Sequence, residues 1–411
     1  MTPFLDSILR KLIRFGSLRV RWPNGSITLY QGTGAGPSAA MAIADNAAAW
    51  GLLLNPGMAV GECYMKGTLV PEDGNIYDLL DVLMLNAEHG TKHPVMELHE
   101  AWRRMWRRVS QYNPATIARR NVAHHYDLNG RLYSLFLDRD RQYSCAYFPT
   151  GSESLEEAQA AKKRHIAAKL KLDRPGMTVL DIGSGWGGLA LTLARDYGAL
   201  VTGVTLSEEQ LAESRARARA EGLDGQVRFE LRDYRDVADR FDRIVSVGMF
   251  EHVGVVHYDE FFAQLRRCLA PGGVALVHTI GRLHGPSSTN SWLAKYIFPG
   301  GYSPALSEML PPIERSGLIN TDVEVLRLHY GETIRHWRRR FAANRDLISS
   351  LYDDRFCRMF EFYLAASELS FRRADHVNFQ VQLTTDITTL PIARDYISQS
   401  ERAAGARADQ G

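Results

Sequence analysis

The stretch of this 411-residue chain whose residue types could hold a ligand is Val179-Leu180-Asp181-Ile182-Gly183-Ser184-Gly185-Trp186-Gly187-Gly188. A short apolar run reaches an acid, glycines crowd into the next residues, and Leu189-Ala190-Leu191-Thr192-Leu193-Ala194 continues at helical spacing. The order is strand, tight turn, helix. Residues without a Cβ let backbone approach a ligand closely, and the free N–H groups of the following helix point at it. Gly183, Gly185 and Gly188 fit G-x-G-x-x-G, the dinucleotide fingerprint. A lone glycine-rich turn is compatible with more than one nucleoside-bearing ligand, so the rest of the chain has to choose.

The elements that would position this turn alternate regularly. Strands are predicted at Thr178–Ile182, Leu200–Thr205, Val227–Leu231, Arg243–Val247 and Val274–Ile280, with helices near 154–170, 187–197, 207–221 and 257–269. Such alternation argues an α/β fold with a parallel, doubly wound sheet whose ligands sit at the C-terminal strand ends. Asp322 to Leu328 and Asn378 to Thr385 read as two further strands, with bulky helical residues over 331–374 between them. Residues 281–320 interrupt the rhythm with Trp292, Tyr296, Phe298 and Pro299-Gly300-Gly301-Tyr302, which suggests a lid or pocket wall. Near the N-terminus, 16–22 and 26–30 alternate around Pro23-Asn24-Gly25 as a hairpin, and helices are expected over 45–54 and 75–85. Glu62, Cys63 and Tyr64 lie in a glycine-bounded segment read as structural. The expected domains are a small mixed α+β domain over 1–90, a linker over 91–120, a catalytic domain over 121–399 and a disordered tail over 400–411.

Composition narrows the classes. A net charge of +2 projects no global field, so nucleic acid is not an expected partner. Cys63, Cys145, Cys268 and Cys357 lie far apart without metal-ligand spacing, which reads as reduced, cytosolic thiols and no metal site. Met1 to Arg14 lacks a signal-peptide pattern, and no apolar run approaches the ~20 residues that span a bilayer. In the linker, Glu97 to Val109 sets Leu98, Trp102, Met105, Trp106 and Val109 on one helix face and Arg103, Arg104, Arg107 and Arg108 on the other. That composition suits an interfacial helix on an anionic membrane, but an amphipathic helix packed on its own protein with solvated arginines, the commoner use of such a pattern, is the preferred reading.

The ligand choice turns on the second strand. A dinucleotide site needs an acid there for the ribose. Val204-Thr205-Leu206-Ser207 has none before Glu208, which disfavours NAD. The first motif of S-adenosylmethionine (SAM) methyltransferases, an apolar strand ending in Asp-x-Gly-x-Gly, fits 179–185 as well. Its usual acid on the second strand is also missing, leaving Thr205 or Gln210 for the ribose. Asp181 ends the first strand, Asp233-Tyr234 follows the third where adenine is contacted, and two C-terminal strands extend the sheet. SAM is the better match.

The motifs Tyr143-Ser144-Cys145-Ala146-Tyr147-Phe148, Leu180 to Gly188, Asp233-Tyr234-Arg235-Asp236, Asp242 to Gly254, His278-Thr279-Ile280-Gly281 and Lys295 to Gly300 resemble, in order, those of the cyclopropane fatty acid synthases. The resemblance implies a Rossmann-like methyltransferase sheet with lipid-pocket insertions. It also implies transfer of the SAM methyl group to a cis double bond of a phospholipid acyl chain with closure of a cyclopropane ring; a methylene- or methyl-branched product is the alternative. A non-catalytic lipid-binding protein that kept the fold is a third reading, against which the intact glycine loop and Glu251 argue. The resemblance further implies a bound bicarbonate as base, held by Cys145, Glu251, His278, Ile280 (through its backbone) and Tyr330. SAM would be held by Tyr143, Ser144, Asp181, Gly183, Gly185, Gly187, Thr205, Gln210, Asp233 and Tyr234, with His125 and Tyr126 over the methionine end. Singly, Cys145 reads as an inert thiol, Glu251 as a turn cap and His278 as a core histidine. Expected partners are unsaturated phospholipid in the bilayer, an anionic membrane surface touched peripherally from the cytoplasm, and a second copy in a homodimer.

Overall fold

The computed structural model describes residues 2–89 and 130–408. The expected linker helix over 97–109, together with His125 and Tyr126, lies outside them. The N-terminal part runs α1 (Thr2–Leu12), β1 (Phe15–Arg21), β2 (Ile27–Gln31), β3 (Gly34–Ile43), α2 (Asn46–Leu54), α3 (Pro56–Lys66), β4 (Leu69–Asp73) and α4 (Ile76–His89). Then follow α5 (Gly130–Phe136), α6 (Leu155–Lys169), β5 (Thr178–Ile182), α7 (Gly188–Tyr197), β6 (Leu200–Thr205), α8 (Glu208–Ala220), β7 (Val227–Leu231), β8 (Phe241–Val247), α9 (Tyr258–Cys268) and β9 (Leu269–Arg282). The chain continues through α10 (Ser291–Tyr296), α11 (Leu306–Ser316), β10 (Ile319–Leu326), α12 (His329–Ala343), α13 (Arg345–Leu351), α14 (Asp354–Arg373), β11 (His376–Thr384) and α15 (Tyr396–Ala408).

The described residues gather into two compact units, neither contiguous in sequence. One holds 2–89, 287–299 and 334–376; the other holds 130–286, 300–333 and 377–408. The first unit carries a four-stranded sheet in the order β2-β1-β3-β4. The predicted hairpin is present, with Leu18 opposite Tyr30. Beside it runs β3, whose Gly-Ala-Gly-Pro start carries no strand signal and which pairs parallel to β1. Of the aromatics expected in a lid or pocket wall, Trp292 lies in this unit's interior, and Tyr296 and Phe298 are half-buried. Trp292 is fully buried, 4.5 Å from Phe362 between ring centroids, and Gly61 admits it: a Cβ there would sit 2.4 Å from the indole nitrogen. Arg373 clamps Asp81 at 2.7 Å, tying α14 to α4. Packing of this kind is invisible to a reading that cuts the chain into successive stretches.

The second unit is built on a seven-stranded sheet in the order β10-β11-β9-β8-β5-β6-β7. The pairs β5–β6, β6–β7, β5–β8 and β8–β9 are parallel, and β10–β11 is antiparallel. Central strands read as nearly continuous apolar runs because helices cover both faces. Ile166, Leu189, Leu193 and Phe229 pack in one buried cluster, and Phe250, Phe261, Phe262 and Phe379 in another. Strand order reverses at β5, so the crevice for a ligand opens beside its C-terminal end. The tail corrects an expectation. Residues 396–408 are helical, because Glu401 on α15 meets the His165 ring of α6 at 2.7 Å.

Candidate active site

A cavity of about 160 Å³ lies at the C-terminal ends of β5, β6 and β8. The turn after β5 forms its floor. Gly183 and Gly185 take left-handed backbone (φ 82° and 54°), and both line the cavity. The N–H groups of Gly183 and Ser184 donate to Val204 O at 2.9 and 3.0 Å, which pins the turn to β6. Gly187 (φ 84°) is the exception among the expected cofactor residues, since it does not line the cavity. It caps α7, and a Cβ there would lie 2.7 Å from Phe229 and 3.0 Å from Ser214. Its part is to make the turn rather than to touch a ligand.

Tyr143, Ser144, Asp181, Thr205, Gln210, Asp233 and Tyr234 all reach the cavity wall. At the end of β6, Thr205 Oγ1 donates to Gln210 Oε1 at 2.9 Å, and Ser207 Oγ caps α8 by accepting from Gln210 N–H. Gln210, three residues after the cap, does not return its side chain to Ser207 N–H to close a capping box, because Thr205 takes its carbonyl. After β7, Asp233 is buried and its carboxylate is held by the Arg235 guanidinium at 2.9 and 2.7 Å. Tyr234 packs edge-on against Phe261 at 5.4 Å.

Asp181 is buried at the end of β5, and desolvation pushes its pKa up to about 7 against the pull of Lys162. Its Oδ2 has no hydrogen-bond partner. An orphaned buried acceptor aimed into a cavity fits a ligand that brings a donor, as the ammonium of the methionine half of SAM does. The open space around the Gly185 Cα also leaves room for a ligand's backbone-hugging approach. Residues that sequence reasoning passed over complete the wall: Gln142, Trp186, Arg232, Met249, His252 and Val253. Behind it stands Lys162, fully buried, donating to Gln142 Oε1 at 2.5 Å and Ser144 Oγ at 2.9 Å. The signal for it was legible: Leu155, Ala158, Lys162, Ile166 and Lys169 form one buried stripe of α6, so a lysine stands where periodicity asks for an apolar residue.

The expected catalytic set lies next to the cavity rather than in its lining. Gly248, which lines it, donates its N–H to His278 O at 2.9 Å, and Glu251 follows three residues later. Glu251 Oε1 accepts from Ile280 N–H at 2.6 Å, while Oε2 is buried without a partner. Burial raises the Glu251 pKa to about 7. His278 is buried between two amides, Nε2 3.3 Å from Asn378 Nδ2 and Nδ1 3.1 Å from Gln380 Nε2. Burial drops its pKa to about 3, so the ring is neutral and one amide must present its oxygen. Both ring nitrogens are therefore engaged within the protein. Cys145 is a fully buried thiol that desolvation holds far above the ordinary range, so it is no thiolate. Its neighbour Ala146 donates N–H to Thr333 Oγ1 at 3.0 Å, and Tyr330 is buried one turn earlier on α12. A small anion fits at the orphaned Glu251 Oε2 in the protonated form, which a pKa of about 7 maintains in about half of the molecules at neutral pH. Ile280 N–H would have to share itself between Glu251 and that anion.

Comparison with known proteins agrees with this geometry. Residues 114–381 match the family model described as mycolic acid cyclopropane synthetase. The cyclopropane-fatty-acyl-phospholipid synthase of Escherichia coli (strain K12) is 45% identical over 271 residues, covering 66% of this chain and 69% of the relative. The tuberculostearic acid methyltransferase of Mycobacterium tuberculosis (strain ATCC 25618 / H37Rv) is 41% identical over 269 residues, 62% of each chain. A solved mycolic acid cyclopropane synthase complexed with SAH and CTAB superposes with a TM-score of 0.62 at 32% identity, covering 66% of this chain and 99% of that one. The strand order, the cavity and these likenesses converge: the chain belongs to the mycolic acid cyclopropane synthetase family and is a SAM-dependent, cyclopropane fatty acid synthase-like methyltransferase acting on lipids.

Proposed function

We propose that the protein transfers the SAM methyl group to a cis double bond of an unsaturated phospholipid acyl chain and closes a cyclopropane ring. The observation that carries the reading is Glu251, a buried carboxyl with a pKa near 7 whose Oε2 has no hydrogen-bond partner, on the short helical turn that follows β8 beside the SAM cavity. SAM supplies an electrophilic methyl group. An isolated alkene is a feeble nucleophile, so the two must be held in line in a dry pocket. Val204, Leu206, Val247, Met249 and Val253 give the cavity an apolar part to its lining. Methyl transfer leaves a cation on the acyl chain, which survives only where stray nucleophiles are quiet. Here Cys145 stays a thiol and the His278 ring is held by Asn378 and Gln380. Ring closure then needs a base for a proton of the new methyl group. Glu251, Cys145, Tyr330 and Ile280 N–H would hold a bicarbonate, and that anion would supply the base; His278, expected among its ligands, has both ring nitrogens taken by Asn378 and Gln380.

The same site could lose a different proton and leave a methyl-branched chain, a reading kept open because a relative named as a fatty acid methyltransferase is 39% identical over 259 residues. We propose that the enzyme works on the cytoplasmic face of an anionic membrane, where an acyl phospholipid substrate would be met; no helix among the described residues is long and apolar enough to cross a membrane. The test is incubation with SAM and vesicles of unsaturated phospholipid, followed by mass spectrometry and NMR of the released fatty esters. A one-carbon gain with ring protons and no alkene is expected. A retained or exocyclic alkene would move the assignment to the branched product, and no turnover on any unsaturated lipid would overturn both.

A further inference from the structure

Two lysines of α6 are fully buried, and they are compensated differently. Lys169 lies 3.1 Å from Asp322 and 2.5 Å from Glu324. Lys162 has no carboxylate at ion-pair distance among the described residues; its Nζ is spent on Gln142 Oε1 and Ser144 Oγ. Burying an ammonium without a carboxylate of its own is costly, and the fold gains nothing local from it. The groups that face it are Asp138, Asp140 and Cys145 from the segment before α6, Lys163 from α6, Asp181 from β5 and His278 from β9. Desolvation lowers its pKa to about 8, so it remains a cation at neutral pH.

A hydroxyl has one proton and two lone pairs. Ser144 Oγ gives a lone pair to Lys162, which leaves its proton to donate, and Ser144 lines the cavity. Ser144 precedes Cys145 and stands beside Gly248, whose N–H donates to His278 O two residues before Ile280; on the proposed mechanism the reacting methyl group arrives at this end of the cavity. The methionine half of SAM, bonded to the same sulfur, belongs at that end. Asp181, with its unpartnered oxygen, lines the same cavity. A donor backed by a cation and a bare acceptor in one cavity match the two charges of an amino acid zwitterion.

We infer that Lys162 is a positioning residue that fixes Ser144 as the hydrogen-bond donor to the α-carboxylate of SAM. The inference rests on the SAM site described above. The test is calorimetric titration of the full chain with S-adenosylhomocysteine and with methylthioadenosine, which lacks the amino acid half. Lys162→Met should weaken S-adenosylhomocysteine about tenfold or more and leave methylthioadenosine within about twofold, as expected for loss of a charge-backed hydrogen bond. Ser144→Ala should show the same selective loss, and the double variant should lose no more than the worse single one. Lys162→Arg, which keeps the charge, should recover part of the affinity. The wild type should also lose extra affinity for S-adenosylhomocysteine above pH about 8, a loss absent from Lys162→Met. Equal weakening of both ligands would assign Lys162 to structure alone. Additive effects would sever it from Ser144, and unchanged affinity would refute it. Should Lys162→Met fail to fold, Ser144→Ala and Lys162→Arg decide by the same ligand pair. A wild type that binds neither ligand would instead sink the SAM site itself.

Discussion

At the scale of the residue, two buried carboxyls, Asp181 at the end of β5 and Glu251 on the turn after β8, differ in what they cost and in the parts proposed for them. On the proposed mechanism Glu251 acts in turnover without touching SAM. Glu251→Gln should therefore lower turnover about 100-fold or more, the range of a lost acid–base group, while S-adenosylhomocysteine affinity stays within about twofold. Near-normal turnover would remove Glu251 from the mechanism. Asp181 should behave in the opposite way. Its folded pKa of about 7 lies above the ordinary value, so the native state holds the proton more tightly. The stability this contributes is full below pH ~4 and is lost as pH rises through about 7. In the ligand-free protein Asp181→Asn should thus raise the unfolding free energy at about pH 8, by an amount on the order of 2–4 kcal/mol, and change it little at about pH 4. The same variant should bind S-adenosylhomocysteine more weakly. Unfolding curves at the two pH values check the first half, and titration calorimetry checks the second.

At the scale of the element, the turn between β5 and α7 separates two uses of glycine. Both Gly185 and Gly187 have positive φ, but a Cβ at Gly185 meets nothing while one at Gly187 collides with Phe229. Gly185→Ala should cost only the left-handed backbone penalty, about 1–2 kcal/mol, and weaken S-adenosylhomocysteine by obstructing the floor. Gly187→Ala should cost more than that in unfolding free energy, because steric overlap adds to the same penalty. A Gly187→Ala protein as stable as Gly185→Ala would contradict the packing described. The C-terminal helix makes a second case. The His165 ring contacts Glu324 and Glu401, each at 2.7 Å. Burial opposes charge on the ring, but the bonds to Glu324 and then Glu401 outweigh it and raise its pKa. The stabilisation is full below the unfolded value of about 6.5 and fades as pH rises through the folded pKa. His165→Gln should accordingly lower the melting temperature more at about pH 6 than at about pH 9. An equal loss at both would mean that the ring works by packing alone.

At the scale of the whole molecule, the sheet order places the turn after β5 and the segment after β8 on either side of the reversal point, which is why a SAM cavity forms there. An enzyme using bilayer lipid has to reach it from the surface. The proposed contact includes the Trp/Arg segment over 97–109, so Trp102→Ala with Trp106→Ala should reduce sedimentation with anionic vesicles more than with neutral ones. Added salt should weaken the remaining binding, since exposed charges are screened beyond about 8–10 Å. Unchanged sedimentation would leave that segment without a membrane role.

The parallel sheet, the glycine turn and the choice of SAM over NAD were all legible in the sequence. Each rests on local period or on one residue type at one place, such as the apolar runs of β5 and β6 and the missing acid at Thr205. Residues in family order also led to Glu251 and Ile280, which the structure joins by a hydrogen bond. Other features came from packing between distant segments. Only the tertiary structure showed that Gly187 serves the turn, that β3 joins the first sheet, and that Trp292 fills the first unit's interior through the gap at Gly61. Only it showed Lys162 unpaired behind Ser144. Burial decides the charge state of Asp181, Glu251, His278 and Lys162, and burial belongs to the assembled fold rather than to any stretch of chain.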